Sequence, residues 1–424
     1  MTSNFQPVQG MSDVASPEIA LWQAVEDSAR RVFSLYHVEE VRTPILEPTE
    51  LFTRSIGDTT DVVQKEMYTF EDRGGRSLTL RPEGTAGVMR HAAALGPDGA
   101  DARLYYLGPM FRYERPQAGR KRQFHQVGVE ALGPASPAAD AEIIALQQHL
   151  FAAWGLRDVR VEINTRGLPE DRAAVAAGLR DALRPHLSAL CDDCRRRFEV
   201  NVLRVLDCKQ AACNAVVDGL PPVTSFMGEA SRMYLDEVLR LLKLLDIPVK
   251  QNPRLVRGLD YYVHTVWECR HPALGAQDAI GAGGRYAMEV GGTALEGVGF
   301  GLGLERVVTA VRKENPGGQG PAPRPAAWIV SQGAKARDEN LVLAQTLRLR
   351  GVRCGIGLGD RSLKAQMRAA NKAGAAFAVI RGEREMEKGL LVLKNMGDGS
   401  QEELAMPDLI ERLVTAARAE VVKT

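Results

Sequence analysis

Three features are scarce in this sequence of 424 residues: long apolar runs, an excess of one charge, and cysteine. No run of 18 or more apolar residues occurs, which argues against a membrane-spanning helix. Lys and Arg number 54 against 53 Asp and Glu, so any nucleic-acid contact needs a local basic surface. The first ten residues, MTSNFQPVQG, lack the basic start and apolar centre of a signal peptide. With only six cysteines, the sequence predicts a reduced, cytoplasmic protein.

The length of the chain favours two or three domains, and 45% apolar residues are enough to build packed cores. Pro and Gly concentrate in residues 313–326, which predicts a linker. After it, strand-like segments at 327–330, 352–356 and 377–380 alternate with helical ones. This alternation predicts a small α/β domain with a largely parallel sheet.

The chain before the linker has a different rhythm. Apolar residues from Trp22 to Tyr36 recur at helical spacing, and residues 41–46 predict a short strand that contains Pro44. Residues 66–135 are rich in hairpin signals and predict antiparallel strands. Residues 165–240 predict mostly charged helices.

The densest chemical signal is the run from Arg112 to Arg122, which holds five basic side chains and one acid between two predicted strands. Paired guanidinium groups suit bidentate contacts with phosphate. The alternative is a solvated basic hairpin without a ligand, because runs of charge often only face water.

Two further segments suggest a ligand site. Arg257-Gly258-Leu259-Asp260-Tyr261-Tyr262 could form an anion site with an aromatic wall, or simply a turn with core tyrosines. Residues 297–303 carry glycine at every second position, which would let a ligand approach the strand backbone. The spacing matches neither a P-loop nor a dinucleotide fingerprint.

Together these segments resemble the class II aminoacyl-tRNA synthetases, and within that class the histidyl-tRNA synthetase family, over nearly the whole chain. The matches to motifs shared across the class are residues 19–46, the hairpin that contains Arg112, and residues 301–306. The matches that imply histidine are residues 80–85, 255–262 and 281–286.

The resemblance implies an α+β catalytic domain with a six-stranded or larger antiparallel sheet, formed by residues 1–164 and 241–312. It further implies a mostly helical insertion at 165–240, the linker at 313–326, and a C-terminal α/β anticodon-binding domain at 327–424. The match of residues 19–46 implies a homodimer.

The same resemblance implies ATP-dependent ligation of histidine to tRNA(His) through a histidyl-adenylate, with Mg²⁺ offsetting phosphate charge. Arg112 and Arg257 would be the catalytic cations, with Arg112 on the α-phosphate. The other residues that would bind ATP are Arg120 and Arg306 on the outer phosphates, Glu114 on the adenine side, and Phe124 stacked on the base.

A histidine pocket would need an acceptor and a donor for the imidazole nitrogens. Glu130 and Tyr262 would supply them, and the rest of the pocket would comprise Glu83, Thr85 and Gln126 for the α-amino group, Arg257 for the carboxylate, and Tyr261 and Tyr286 as lining. The alternative for the acidic residues is ordinary ion pairing on a strand face. In the last domain, Arg361, Lys364, Arg368 and Lys372 would contact tRNA, or would form a solvated helix face.

Four of the six cysteines lie within 23 residues: Cys191, Cys194, Cys208 and Cys213. They could supply four thiolates to Zn²⁺. The four residues between Cys208 and Cys213 exceed the common two, and many bacterial members of the family share this stretch with fewer cysteines. Reduced structural cysteines are therefore favoured over zinc, and no metal is assigned.

Two departures and two rival functions accompany the resemblance. Where the family usually has an acidic residue and a Leu after Gly-Gly-Arg-Tyr, this chain has Ala287-Met288-Glu289 and a shorter loop before Gly291, which predicts a rearranged loop. Val263-His264 stands where the family usually has a polar-basic pair.

One rival function is that of an inactive regulator, such as the accessory subunit of ATP phosphoribosyltransferase, but such proteins lack the last domain and usually lose phosphate-binding arginines. The other is a ligase for another amino acid, against which the Arg257 segment argues.

Overall fold

The computed structural model describes residues 5–57, 60–117, 119–256, 259, 261–315, 324–357, 359 and 361–421. The chain divides into two compact units, Met1–Gln319 and Gly320–Thr424, called here the first and the second unit. Within the described residues, no helix is both long and apolar enough to cross a membrane.

The first unit alternates helices with strands of a large sheet. Its elements are α1 (Glu18–Leu35), β1 (Glu39–Glu40), β2 (Leu46–Pro48), α2 (Thr49–Ile56), β3 (Tyr68–Glu71), β4 (Ser77–Leu80), α3 (Thr85–Leu95), β5 (Arg103–Phe111), β6 (Gln123–Leu132), α4 (Pro137–Ala153), β7 (Arg160–Thr165), α5 (Asp171–Leu183), α6 (Asp192–Val200), α7 (Ala211–Asp218), α8 (Glu229–Leu244), β8 (Val249–Gln251), β9 (Tyr262–Arg270), β10 (Ala279–Val290), β11 (Thr293–Gly303) and α9 (Leu304–Glu314).

Eight of these strands form one sheet in the order β1-β5-β6-β11-β10-β9-β7-β8. The six inner strands pair antiparallel, whereas β1 and β8 join the two edges in parallel. The predicted antiparallel sheet of six or more strands is thus confirmed, with one short parallel strand added at each edge.

Helices α1, α4, α8 and α9 share the main apolar core with one face of this sheet. Trp154 follows α4 and donates its indole N–H to the Val25 carbonyl of α1 at 3.0 Å. Because one sheet face is covered in this way, side chains that point to the other face are free to build a site.

Two predictions near the N-terminus need correction. Helix α1 lies where predicted, but residues 41–46 form no continuous strand, because β2 begins only at Leu46. Pro44 has no N–H to donate, so a strand ladder cannot run through it. Strand β2 instead pairs with the predicted hairpin of β3 and β4 in a separate three-stranded sheet.

The segment predicted to be mostly helical carries α5, α6 and α7, which pack around an apolar cluster of their own. Helix α8, which runs beyond residue 240, buries Leu235, Val238 and Leu242 in the main core instead. The boundaries predicted for the insertion and for the linker stay predictions.

The second unit contains β12 (Ala327–Ser331), α10 (Ala334–Leu349), β13 (Cys354–Ile356), α11 (Leu363–Lys372), β14 (Phe377–Arg381), α12 (Glu383–Lys388), β15 (Leu390–Asn395), β16 (Gln401–Ala405) and α13 (Met406–Val421). Strands β13, β12 and β14 are parallel neighbours, which confirms the predicted alternation. Antiparallel strands β15 and β16 complete the sheet.

Candidate active site

The site begins with the alternation of side chains along β6 and β11. On β6, Val127 and Val129 point into the main core, so Gln126 and Glu130 point to the opposite face. On β11, Val298, Phe300 and Leu302 likewise enter the core, which leaves the alternate glycines on the site face.

These glycines make room for neighbouring side chains. A Cβ atom at Gly299 would lie 2.0 Å from Glu130 Oε2, and one at Gly301 would lie 2.3 Å from Gln126 Nε2. Glycine was expected to admit a ligand to the strand backbone. The structure shows that the space left by these glycines is occupied by polar side chains of the neighbouring strand β6.

A polar cavity of about 70 Å³ lies over this face. Its lining includes every described residue that was predicted to bind histidine: Glu83, Thr85, Gln126, Glu130, Tyr261, Tyr262 and Tyr286. Arg257, Gly258 and Asp260 lie outside the described residues, so the predicted role of Arg257 stays a prediction.

Glu130 lies at the base of the polar cavity and is 1% exposed. Its Oε1 accepts a hydrogen bond from the Thr85 hydroxyl at 2.7 Å, while Oε2 has no partner of ordinary geometry in the described part of the chain. Burial raises the pKa of Glu130 to about 8, although the Thr85 and Tyr286 hydroxyls lower it. A buried oxygen of this kind is available to a ligand N–H.

Glu83 is also buried but has two internal donors. The backbone N–H of Ala86 and the hydroxyl of Tyr261 each donate to its carboxylate at 3.0 Å. Burial raises the pKa of Glu83, and these hydrogen bonds oppose the rise. The Oε1 of Gln126 has no hydrogen-bond partner within the described residues. The polar cavity therefore offers several acceptors to one ligand.

An arginine pocket of about 490 Å³ adjoins the polar cavity. Its lining includes all five residues predicted to bind ATP: Arg112, Glu114, Arg120, Phe124 and Arg306. Most of the basic hairpin is the loop between β5 and β6, and Arg306 lies in the first turn of α9, immediately after β11.

Neighbouring groups position Arg112 and Arg306. Arg112 donates from Nε to the Pro82 carbonyl at 2.9 Å, and its guanidinium lies 5.5 Å from the ring centroid of Phe124. Arg306 donates to the Gly119 carbonyl at 3.0 Å, which ties α9 to the hairpin loop. Burial, together with the positive charge of Arg120, lowers the pKa of Arg306. The pocket therefore concentrates positive charge, as an anion site requires.

Glu114 is the acid among these cations. Its carboxylate lies 4.0 Å from Arg112 and 3.5 Å from Arg120, measured between the nearest charged atoms. Its Oε2 makes no hydrogen bond within the described residues. The arginine pocket therefore contains one carboxylate within ion-pair distance of two of its guanidinium groups.

Arg112, Gln126, Ala282 and Gly301 line both the polar cavity and the arginine pocket. The guanidinium of Arg112 thus stands where the two spaces meet. A carboxylate entering from one side and a phosphate entering from the other would meet at this cation.

Two site residues were not predicted as such. The ring of Tyr106 lines the polar cavity, and a Cβ at Gly84 or Gly128 would approach it within 2.3 Å. Glu305 accepts the backbone N–H of His125 on both carboxylate oxygens at 3.0 Å. Alternation in β5 could have marked Tyr106, but its partner glycines are distant in sequence.

The shortened segment after Tyr286 forms a simple hairpin. Strand β10 continues to Val290, which pairs with Thr293 of β11. Gly291 and Gly292 make the turn with φ values of +60° and +81°, which suit a two-residue hairpin loop. Tyr286 lines the polar cavity, and the predicted rearrangement of this loop relative to the family stays a prediction.

In the second unit, Arg361, Lys364, Arg368 and Lys372 are all exposed, the first just before α11 and the others along it. Ser362 caps this helix by accepting from the Ala365 N–H at 3.3 Å. Gln366 and Ala370 bury the opposite side. The basic face is thus present and exposed, and its contact with RNA stays a prediction.

Comparison with known proteins shows the family. The profile of the histidyl-tRNA synthetase family matches residues 10–307, and that of the anticodon binding domain matches residues 327–416. The chain belongs to the histidyl-tRNA synthetase family. The family profile covers nearly the whole of the first unit, which contains both the polar cavity and the arginine pocket.

Relatives in this family match almost end to end. The histidine–tRNA ligase of Halothermothrix orenii is 44% identical over 96% of this chain and 98% of its own. That of Pelotomaculum thermopropionicum is also 44% identical, over 96% of each chain. The apo histidyl-tRNA synthetase of S. aureus is 32% identical with a TM-score of 0.78, covering 97% of this chain and all of that one.

Proposed function

We propose that this chain ligates L-histidine to tRNA(His) with ATP, in two steps. The histidine carboxylate attacks the α-phosphate, giving histidyl-adenylate and pyrophosphate. A terminal ribose hydroxyl of the tRNA then takes the histidyl group and releases AMP. The observation that carries the proposal is the meeting of the polar cavity and the arginine pocket at Arg112.

Histidine would occupy the polar cavity. Glu130 Oε2 would accept an imidazole N–H, Tyr262 would serve the other ring nitrogen, and Tyr286 would line the ring. Glu83, Thr85 and Gln126 would hold the α-amino group, with Tyr261 orienting Glu83 through its hydrogen bond. Apolar analogues would leave these buried groups unpaired, which typically gives discrimination on the order of 10⁴.

ATP would occupy the arginine pocket, with Arg112 on the α-phosphate and Arg120 and Arg306 on the outer phosphates. Phe124 would stack on the base, and Glu114 would meet the adenine side. Fixed guanidinium groups stabilise the charge that develops in phosphoryl transfer without reorganising during the reaction. Arg257, by family resemblance, would add a second cation near the carboxylate and the α-phosphate.

Mg²⁺ fits this pocket, because carboxylate oxygens line it and hard oxygen ligands suit this ion. Glu305 would hold it together with the phosphates, while Glu114 stays on the adenine side. When bound, it would neutralise part of the phosphate charge.

The wider assignment covers tRNA, oligomer and location. The basic face of α11 would contact the tRNA, and the segment 19–46 would form the interface of a homodimer. A translation enzyme of this kind would work in the cytoplasm. Sedimentation tests the dimer, since a species near the 46.2 kDa of one chain at assay concentration would contradict it.

Amino-acid-dependent exchange of pyrophosphate into ATP tests the main proposal. Each of the twenty amino acids is supplied in turn, and exchange is expected with histidine alone. Exchange with a different amino acid would reassign the polar cavity. Absence of exchange with all twenty would contradict the enzyme activity.

Arg257→Ala tests the second cation separately. The variant is expected to lose orders of magnitude in adenylate formation while keeping its fold. Near-normal exchange would remove Arg257 from this role.

A further inference from the structure

We propose that Cys191, Cys194, Cys208 and Cys213, called here the cysteine cluster, form a structural zinc site of four thiolates. Their sulfur atoms all lie within 4.8 Å of one another. Three of the four residues are buried, and Cys191 is half-buried. The sequence favoured reduced cysteines without a metal, whereas this convergence favours the metal.

The spacing of the sulfurs fits a shared ion. Tetrahedral zinc holds four sulfurs at about 2.3 Å, which places them roughly 3.8 Å from one another. The sulfurs of Cys191 and Cys208 are 3.9 Å apart. A disulfide would need a separation of about 2.05 Å. A small contraction around one ion would therefore complete the site.

Helix starts and backbone N–H donors also face the sulfur atoms. Cys191 immediately precedes α6 and Cys194 lies in its first turn, while Cys213 lies in the first turn of α7. The positive end of a helix dipole stabilises a thiolate. The backbone N–H of Cys191 donates to the sulfur of Cys213 at 3.2 Å, and that of Gln210 donates to the sulfur of Cys208 at 3.5 Å.

The wider spacing of the second pair has a structural explanation. The residues between Cys208 and Cys213 contain the start of α7, so the chain leaves the site and returns to it within one helical turn. The spacing that argued against zinc in the sequence is thus the length needed to enter this helix.

The ion would cross-link two weak elements. Helices α6 and α7 have only 9 and 8 residues, too few to be stable alone. They pack with α5 around a small apolar cluster that includes three of the cysteines. A metal bridge between the two helix starts would stabilise this part of the chain.

Metal content of the untagged full-length protein, purified without chelator, is the first test. About one zinc per chain is expected, and the half-buried Cys191 thiol should be protected from a thiol reagent until the metal is removed. Reconstitution with Co²⁺ should give the intense visible bands of tetrahedral thiolate coordination. Zinc well below one equivalent, together with no such bands, would overturn the proposal. A disulfide found by mass spectrometry within the cluster in unreduced protein would also overturn it.

Cys191→Ser tests the ligand set, since Cys191 is the most accessible of the four. It should lose bound zinc or hold it much more weakly, and should melt at a lower temperature than the wild type. The matched control is Cys354→Ser, at a buried cysteine of the second unit, which should keep its zinc. Equal zinc in the two variants would contradict the proposed ligands. Histidine-dependent exchange in the wild type is independent of this result, so failure here would leave the proposed function standing.

Discussion

Glu130 is the residue whose burial most clearly indicates a ligand-binding role. It is a buried carboxyl group with no ion pair within the described residues. Burying such a group is costly unless a partner arrives. A carboxylate exposed to water would carry no such desolvation cost. The buried position of Glu130 on the site face of β6 therefore indicates a role in ligand recognition rather than in stability.

Replacing Glu130 by Gln should change the pH dependence of stability. Because burial raises the pKa of Glu130 to about 8, the folded state binds its proton more tightly than the unfolded state. The stability from this proton is full at low pH and falls from about pH 4.5 to about pH 8. At ~1.4 kcal/mol per pH unit, the loss has an upper limit of roughly 5 kcal/mol.

Urea unfolding of the ligand-free protein between pH 5 and pH 9, as rough limits of the assay, measures this effect. The slope of stability against pH should be flatter in Glu130→Gln than in the wild type. The variant should also weaken histidine-dependent exchange, because an amide cannot ionise to the carboxylate that accepts most strongly from an imidazole N–H. Parallel slopes would contradict the raised pKa.

Gly299→Ala should disable the polar cavity, which Gly299 itself lines, by displacing Glu130. The new Cβ would meet Glu130 Oε2 at 2.0 Å and the Val129 carbonyl at 2.4 Å, so the carboxylate must move. We expect a loss of about 1–3 kcal/mol in stability. We also expect a loss of roughly 100-fold in histidine-dependent exchange.

Gly219→Ala is the control, since its Cβ would meet only the Val216 carbonyl, at an ordinary 3.5 Å. Wild-type exchange in Gly299→Ala would show that Glu130 does not depend on this glycine.

The residues of the site could largely be predicted from the sequence, but the reasons for its glycines could not. Glu83, Arg112 and Glu130 stand in segments that resemble a known family. The contact between Gly299 and Glu130 depends instead on the register of β6 against β11, which pairs residues far apart in the chain. Local patterns do not contain that register.

At the scale of elements, the helical spacing of apolar residues predicted helices, and turn-forming residues predicted the hairpins. Gly155 follows α4 with a positive φ, and Ser362 caps α11, which are roles that these residue types favour. The start of α1 is less predictable from residue type, because Pro17 precedes the helix and no side chain caps it. Helix ends depend on local contacts that composition does not fix.

Arg254→Ala tests how α7 supports the active site. Arg254 lies three residues before Arg257 in the sequence. It donates hydrogen bonds to two residues of α7, to Asp218 at 2.9 Å and also to Asn214. Loss of this anchor should loosen the segment that leads to the proposed cation. We expect a fall of roughly 10- to 100-fold in the rate of histidine-dependent exchange, with normal ATP binding.

Arg240→Ala is the matched control for Arg254→Ala. Arg240 pairs with Glu237 on the surface of α8, and such exposed pairs contribute little. Equal exchange rates in the two variants would mean that the anchor is dispensable.

At the scale of the whole molecule, a net charge of +1 does not reveal that the basic residues are concentrated in two local surfaces. Positive charge gathers in the arginine pocket of the first unit and on α11 of the second. The linker composition predicted two units, and the antiparallel pair of β15 and β16 was the part that the alternation of strands and helices did not reveal.

Removing the basic face of α11 should weaken tRNA binding and leave the chemistry of the first step intact. Lys364, Arg368 and Lys372 recur every four residues and are exposed, so they form one row on the helix surface. Phosphate contacts by such a row contribute to affinity in a salt-dependent way. The triple alanine variant should lose roughly 10-fold or more in kcat/KM for tRNA and show a shallower dependence on salt.

The control removes the same charge elsewhere on the second unit, by changing Arg384, Lys388 and Arg412 to alanine, all exposed. Histidine-dependent exchange should match the wild type in both triple variants, because neither touches the polar cavity or the arginine pocket. If both variants lose tRNA affinity equally, the charge of the unit matters but α11 is not the contact surface. If only the α11 variant loses it, the row of three basic residues is the surface that meets the RNA.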